Sequence, residues 1–210
     1  MKTILTLGLA LTLSLGAVAV FAEENENFVS PQATLSEDEA LETWAKAYEV
    51  FSHPRCANCH VPEDNRPRWS GPSYGDGPDG QGWQYHGMYI HADESRFGVE
   101  SLACTTCHGP QNSKVPHGPP GAPVWMLAPV EMVWWQKSSA EICEQIKDPE
   151  RNGGRSLEEV ADHIGHDDLV AWGWNPGPGR EPAPHSAAKL KAFVLAWAAA
   201  GAPCPTEETD

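Results

Sequence analysis

One pentapeptide pattern, CxxCH, occurs twice in this 210-residue chain, at 56–60 and at 104–108. Two thiols two residues apart, followed at once by a histidine, are the pattern of c-type haem attachment: each thiol forms a thioether and the histidine binds the iron. Zinc sites space their Cys and His ligands differently, and a thioredoxin-like CxxC sits in a βαβ pattern that this sequence lacks. The repeat therefore predicts two covalently bound haem c groups.

The residues of the two motifs divide into two roles. The predicted thioether cysteines are Cys56, Cys59, Cys104 and Cys107. The predicted proximal iron ligands are His60 and His108.

The second axial ligand of each iron has to come from elsewhere in the chain. A methionine there raises the haem potential and a histidine lowers it, so this choice governs the redox partners. We expect one distal ligand from the pair His86 and Met88, which lie between the motifs. We expect the other from His163, beside the apolar face of a predicted helix, or from Met132, which lies in a Trp-rich stretch.

Two further histidines lie close to these candidates but are poorer ligands. His53 precedes Cys56 by only three residues, which is too close along the chain to cross to the far face of a haem. His166 would point away from the apolar face that His163 flanks.

The first 22 residues have the pattern of a secretory signal peptide. Lys2 is followed by an uncharged apolar run that ends in Val20-Phe21-Ala22, which predicts cleavage before Glu23. The run is also long enough for an uncleaved anchor. After cleavage no membrane span is expected. Export to the bacterial periplasm agrees with thioether and disulfide chemistry, which belong to oxidising compartments.

Two cysteines, Cys143 and Cys204, remain after haem attachment. Because this is an even remainder in a chain expected to be exported, we predict a disulfide between them, the alternative being two free thiols.

The remaining pattern predicts a mainly α fold with long irregular loops and few or no strands. Residues 23–35 read as a flexible polar leader, and residues 36–205 as one dihaem cytochrome c-like domain. Capping boxes predict helices that begin after Ser36, Ser138 and Ser156, the last one ending at Gly165. A terminal helix is predicted from about 186 to 200. The Pro-, Gly- and Trp-rich segments 61–101 and 109–137 are expected to wrap around the haems.

The chain is strongly acidic, with 29 Asp and Glu against 14 Lys and Arg and a formal net charge of −15. This charge argues against nucleic acid or an anionic membrane surface as a partner. It permits steered docking to a basic face of a redox protein, although it could also serve only to keep the chain in solution.

Several stretches resemble bacterial dihaem proteins labelled as a subunit of isoquinoline 1-oxidoreductase. These are HPRCANCH, GAPVWMLAP, IKDPERNGGRSLEE, DDLVAWGWNPGPGREPAP and GAPCP. The helix leading into the first motif and the terminal helix also resemble class I cytochromes c. The resemblance implies electron transfer beside a molybdenum hydroxylase. His86, Met88, Met132 and His163 match the family's pattern, whereas Met126 departs from it.

These observations favour an electron-transfer protein or subunit over an enzyme. One alternative is a bis-histidine cytochrome subunit of another reductase, or a haem sensor, since candidate histidines lie between the closely spaced motifs. Another is a small peroxidase-like haem enzyme, in which one iron would keep an open position.

Overall fold

The first helix begins at the capping box that the sequence predicts. The computed structural model describes residues 35–70 and 82–206, which belong to one compact unit. Helix α1 spans Glu37–Phe51. The Ser36 hydroxyl accepts a hydrogen bond from the Glu39 backbone N–H, and the Glu39 carboxylate accepts one from the Ser36 N–H. The predicted signal peptide, and the predicted leader up to residue 34, lie outside the described residues.

The other long helices also begin at serine caps. They are α3 (Ser139–Lys147), α4 (Leu157–His166) and α6 (Ala187–Ala199), and short helices α2 (Pro54–Ala57) and α5 (Asp168–Ala171) lie between them. The prediction that Gly165 ends α4 was wrong. The helix continues through Gly165 and ends at His166. The next residue, Asp167, caps α5, because its carboxylate accepts the N–H groups of Leu169 and Val170.

The main core lies where α6 packs against α1 and α4. Trp44 of α1 and Trp197 of α6 are both almost fully buried, with ring centroids 4.8 Å apart. Leu190 and Val194 of α6 face the same core, as the helical spacing predicts. Each such side chain contributes about 1.5–3 kcal/mol by leaving water, so this core holds the helices in place around the first motif.

A disulfide joins Cys143 of α3 to Cys204 in the tail beyond α6, which confirms the predicted pairing. The same tail is fixed by a second contact, in which the Trp197 indole N–H donates to the Pro203 carbonyl at 2.8 Å. The disulfide therefore closes a long loop around the helical core.

One short hairpin interrupts the long irregular segments. Strands β1 (Arg68–Ser70) and β2 (Trp83–Tyr85) pair antiparallel, with Arg68 opposite Tyr85. In the described part of the chain, this two-stranded sheet and the six α-helices are the regular elements apart from short 3-10 turns. The structure is thus mainly helical with long loops, as predicted, and the hairpin is the feature that the Pro- and Gly-rich composition concealed.

Backbone hydrogen bonds fold the second long loop back onto the first motif. The Ala128 N–H donates to the Cys59 carbonyl at 3.2 Å, and the Trp134 N–H donates to the His60 carbonyl at 2.9 Å. The buried Arg96 guanidinium ties these segments together by donating to the carbonyls of Ala128 and Val61. Loop segments far apart in sequence thereby form a wall beside residues 56–60.

Across the two described ranges, no helix has both the length and the apolar character that crossing a membrane requires.

Candidate cofactor-binding sites

Both CxxCH motifs fold into the same single helical turn. In the first, the N–H groups of Cys59 and His60 donate to the Cys56 carbonyl. In the second, those of Cys107 and His108 donate to the Cys104 carbonyl. Residues three and four apart on a helical turn share one face, so each motif presents its two thiols and its imidazole on one side.

The two motif histidines are hydrogen-bonded in the same way. His60 Nδ1 lies 2.9 Å from the Met132 carbonyl oxygen, and His108 Nδ1 lies 2.8 Å from the Pro120 carbonyl oxygen. A carbonyl only accepts, so Nδ1 carries the proton and Nε2 keeps its lone pair. This contact, from a backbone carbonyl to the nitrogen away from a metal, is the one that typically orients a ligating histidine.

Burial keeps both imidazoles in the neutral form that binds metals. Loss of hydration lowers the pKa of His60 to about 3, and that of His108 to about 4. Burial also raises the pKa of the Cys56 thiol to about 12 and that of Cys59 to about 11. At neutral pH each of these groups is uncharged and suited to an apolar ligand.

A tryptophan is stacked on the face of each motif histidine. The Trp134 ring lies 3.4 Å from the His60 ring with an interplanar angle of 3°, and the Trp125 ring lies 4.5 Å from the His108 ring at 4°. Together with the Nδ1 hydrogen bond, the stacking fixes the plane of each imidazole. Sequence reasoning placed Trp125 and Trp134 in an apolar setting but did not assign them this role.

A glycine allows the carbonyl partner of His108 to come close. A Cβ on Gly121 would lie 2.2 Å from the Gln111 carbonyl oxygen and 2.4 Å from that of Gly109, so only glycine fits there without displacing backbone. The loop can therefore pass directly over the end of the second motif and present the Pro120 carbonyl.

A cavity of ≈ 260 Å³ opens beside the second motif. Its walls are mainly apolar side chains and prolines. All three functional residues of the second motif line it, and so does Cys59 of the first motif. Two of the expected distal ligands, His86 and Met88, line it, and so do two further side chains of types that bind iron, Met126 and His117. One cavity thus adjoins both motifs.

His86 and Met88 differ in their surroundings although they are two residues apart. The half-buried His86 ring lies 6.0 Å from the His108 ring, centroid to centroid. Met88 is 76 % exposed. The structure therefore brings His86, more than Met88, up to the second motif.

Met132 and His163 both lie near the first motif histidine but have different contacts. Met132 is buried, and its carbonyl oxygen faces Nδ1 of His60. His163 is half-buried at the end of α4, with Nδ1 3.7 Å from an Asp167 carboxylate oxygen. It is also near enough to His60 that its charge helps to lower the pKa of His60, after burial and Arg96.

His53 and His166, which the sequence analysis described as poorer iron ligands, make other contacts. The His53 ring caps α2 by accepting the Arg55 N–H at 3.2 Å through Nδ1, which leaves its proton on Nε2. Proline at the first helical position and the cap just before it are the sequence signal for this role. His166 is exposed and donates to the Asp162 carbonyl, as expected for a residue that faces away from the core.

The residues of each motif fit a haem c group in their chemistry, because they offer two thiols, one imidazole with Nε2 available to a metal, and nearby apolar side chains. In the ranges that the structure describes, His, Cys, Asp and Glu side chains form no cluster of three or more suited to a metal ion. No protein-family model, curated protein or solved structure matches the chain.

Proposed function

We propose that the chain is an exported dihaem c-type cytochrome that transfers single electrons, as a carrier or as a subunit of an oxidoreductase. The observation that carries this proposal is the repeated site: two CxxCH turns, each with its histidine donating Nδ1–H to a loop carbonyl and stacked on a tryptophan. Two motifs that occurred by chance would not be expected to share both the hydrogen bond and the stacked tryptophan.

Each group is assigned to one motif. Cys56 and Cys59 would hold the first haem, and Cys104 and Cys107 the second, with His60 and His108 on the two irons. When bound, each haem supplies an iron centre that takes up and releases one electron. The chain's own residues bind the porphyrin edges, orient the imidazoles and exclude water from the buried first site.

Of the two candidates near the first motif, His163 rather than Met132 would provide the second ligand of the first iron. A ligand opposite His60 would lie about 9 Å from the carbonyl oxygen on Nδ1, since a hydrogen bond, the imidazole and two metal bonds intervene. A methionine sulfur reaches only about 6 Å from its own carbonyl oxygen. The carbonyl of Met132 accepts the Nδ1 proton of His60. The sulfur of the same residue is therefore too far away to ligate an iron bound to Nε2 of His60.

Replacing His163 by Ala should turn one haem high-spin and leave both haems covalently attached. Replacing His166, which is exposed on the same helix, is the matched control and should change little. If both variants keep two unchanged low-spin haems, another residue ligates the first iron.

The primary test is the haem content of protein produced in a host that attaches haem c. Intact mass spectrometry should find two haems per chain, and the reduced protein should show the narrow α-band of a low-spin c-type cytochrome. A chain without covalent haem would refute the function, and one persistently high-spin haem would favour a peroxidase-like enzyme.

The partner is a redox protein with a basic docking face, and the sequence resemblance points to a molybdenum hydroxylase. A net charge of −15 favours attraction over tens of ångströms at low salt. Electron-transfer rates to such a partner should fall as ionic strength rises. A rate that does not depend on salt would remove the electrostatic argument while leaving the haem sites intact.

A further inference from the structure

The strongest evidence for an unassigned ligand is the distance between the rings of His86 and His108. Their centroids are 6.0 Å apart and their planes differ by 56°. Two imidazoles on opposite faces of one iron have centroids about 6 Å apart, because each metal–nitrogen bond is about 2 Å and each centroid lies about 1 Å behind its nitrogen. The spacing of the two rings matches that of an axial pair.

The hydrogen bonds of His86 give it the same tautomer as His108. His86 Nδ1 lies 2.9 Å from the Gly87 carbonyl oxygen, which can only accept. Nε2 of His86 therefore keeps its lone pair, as does Nε2 of His108. Two imidazoles that each have Nδ1 on a backbone carbonyl thus line one cavity.

The backbone and ring of His86 are held in place by the hairpin. Its N–H donates to the Pro67 carbonyl at 2.9 Å, immediately after β2. Its ring meets the Trp69 ring edge-on at 5.4 Å. A ligand that is already positioned loses less conformational entropy on binding than one on a free loop.

Met88, two residues from His86, has weaker support as a ligand. It is 76 % exposed and lies on a 3-10 turn with a positive φ of 63°. Met126 and His117 line the same cavity and are the alternatives to His86.

We propose that His86 is the second axial ligand of the iron held by His108, so that the second haem is bis-histidine ligated. This inference rests on the proposed function, because it requires haem at the second motif. It assigns the lower potential of the bis-histidine class to that site.

The test uses the full-length holoprotein and a His86→Gly variant. Ferric electron paramagnetic resonance should show half of the low-spin haem converted to high-spin. If a neighbouring thioether replaces the imidazole, the visible absorption spectrum should instead gain a methionine-to-iron band. Intact mass spectrometry should still show two haems. Added imidazole should restore the original spectrum, which a purely structural role of His86 would not allow.

His91→Gly is the matched control from the same segment, and Met88→Ala tests the competing ligand; both residues are exposed. Each should keep the wild-type spectrum. An unchanged spectrum in His86→Gly, or conversion by Met88→Ala instead, would overturn the assignment. If His86→Gly does not accumulate, near-infrared magnetic circular dichroism of the His163→Ala variant decides, because only the second haem can then be bis-histidine ligated: a remaining bis-histidine band supports the inference, and its absence refutes it. Wild-type protein without covalent haem would instead refute the proposed function.

Discussion

The first CxxCH turn is part of the helical core, whereas the second is held by loops. Cys56 packs against the cluster that contains Trp44 and Trp197, and Ala57 is buried within it. In the second turn Cys107 is exposed, and the walls around it come from Pro- and Gly-rich segments. The same CxxCH turn thus occurs once in the helical core and once among segments with little regular structure.

This difference shows that positioning a histidine does not require a helix bundle. The second site reproduces the Nδ1–carbonyl contact and the tryptophan stacking of the first. Close backbone approach at Gly121 makes this possible. The second site should have lower local stability than the first, because fewer apolar contacts hold it.

The largest expected effect is a difference in unfolding free energy between variants that lack the cysteines of the first or of the second motif. A Cys56→Ala/Cys59→Ala variant should lose one haem and more than about 4 kcal/mol of unfolding free energy, in the range for loss of a cofactor from a core. The matched Cys104→Ala/Cys107→Ala variant should also lose one haem but only about 1–2 kcal/mol. Intact mass and far-ultraviolet circular dichroism during denaturation measure both; equal destabilisation would contradict the comparison.

Replacing the stacked tryptophan should also destabilise the protein more at the first motif than at the second. Trp134 is buried and also contacts Phe51 at 5.0 Å between ring centroids, so Trp134→Ala should cost about 3–5 kcal/mol. Trp125 is half-buried, and Trp125→Ala should cost about 1–2 kcal/mol. Urea titration of the two holoprotein variants provides the measurement, and a larger loss at Trp125 would reverse the ranking.

Removing the disulfide should affect the core side of the molecule alone. Cys143 and Cys204 are separated by 61 residues, and closing a loop of that length stabilises by about 4 kcal/mol in the chain-entropy model. A Cys143→Ser/Cys204→Ser variant should lose up to that amount and keep the spectrum of the second haem. Its control is the wild type treated with an alkylating reagent without reduction, in which no thiol should be labelled.

The smallest effect concerns pH and His53, the cap of the helix that carries Cys56. Burial, with help from Arg55, lowers the pKa of His53 from 6.5 to about 4. The unfolded chain therefore binds more protons between these values, and the unfolding free energy should decrease as pH falls from about 6.5 to about 4.

A His53→Asn variant keeps a good cap and removes the titration. Its unfolding free energy should depend less on pH across this window, as measured by urea titrations at several pH values. Identical pH profiles for the variant and the wild type would show that His53 does not contribute.

Local signals in the sequence were enough to predict the four long helices but not the short helices α2 and α5. The capping boxes at Ser36, Ser138 and Ser156 each start a helix, since the serine and the glutamate three residues later bond to neighbouring backbone groups. The hairpin at 68–70 and 83–85 was not predicted, because its strands are only three residues long and give no alternating pattern. The predicted end of α4 was too early, because the cap at Asp167 rather than the glycine at 165 determines where the helix ends.

The sequence by itself determined the two CxxCH motifs, the disulfide partners and the helical character, because each depends on residue types at short spacing or on the number of cysteines. Only the tertiary structure decided which carbonyls hold His60 and His108, which tryptophans stack on them and that His86 lies beside His108. A backbone carbonyl has the same chemistry at every residue, so its identity as a partner leaves no mark in the sequence. It follows instead from how loops of little periodicity fold back over each motif.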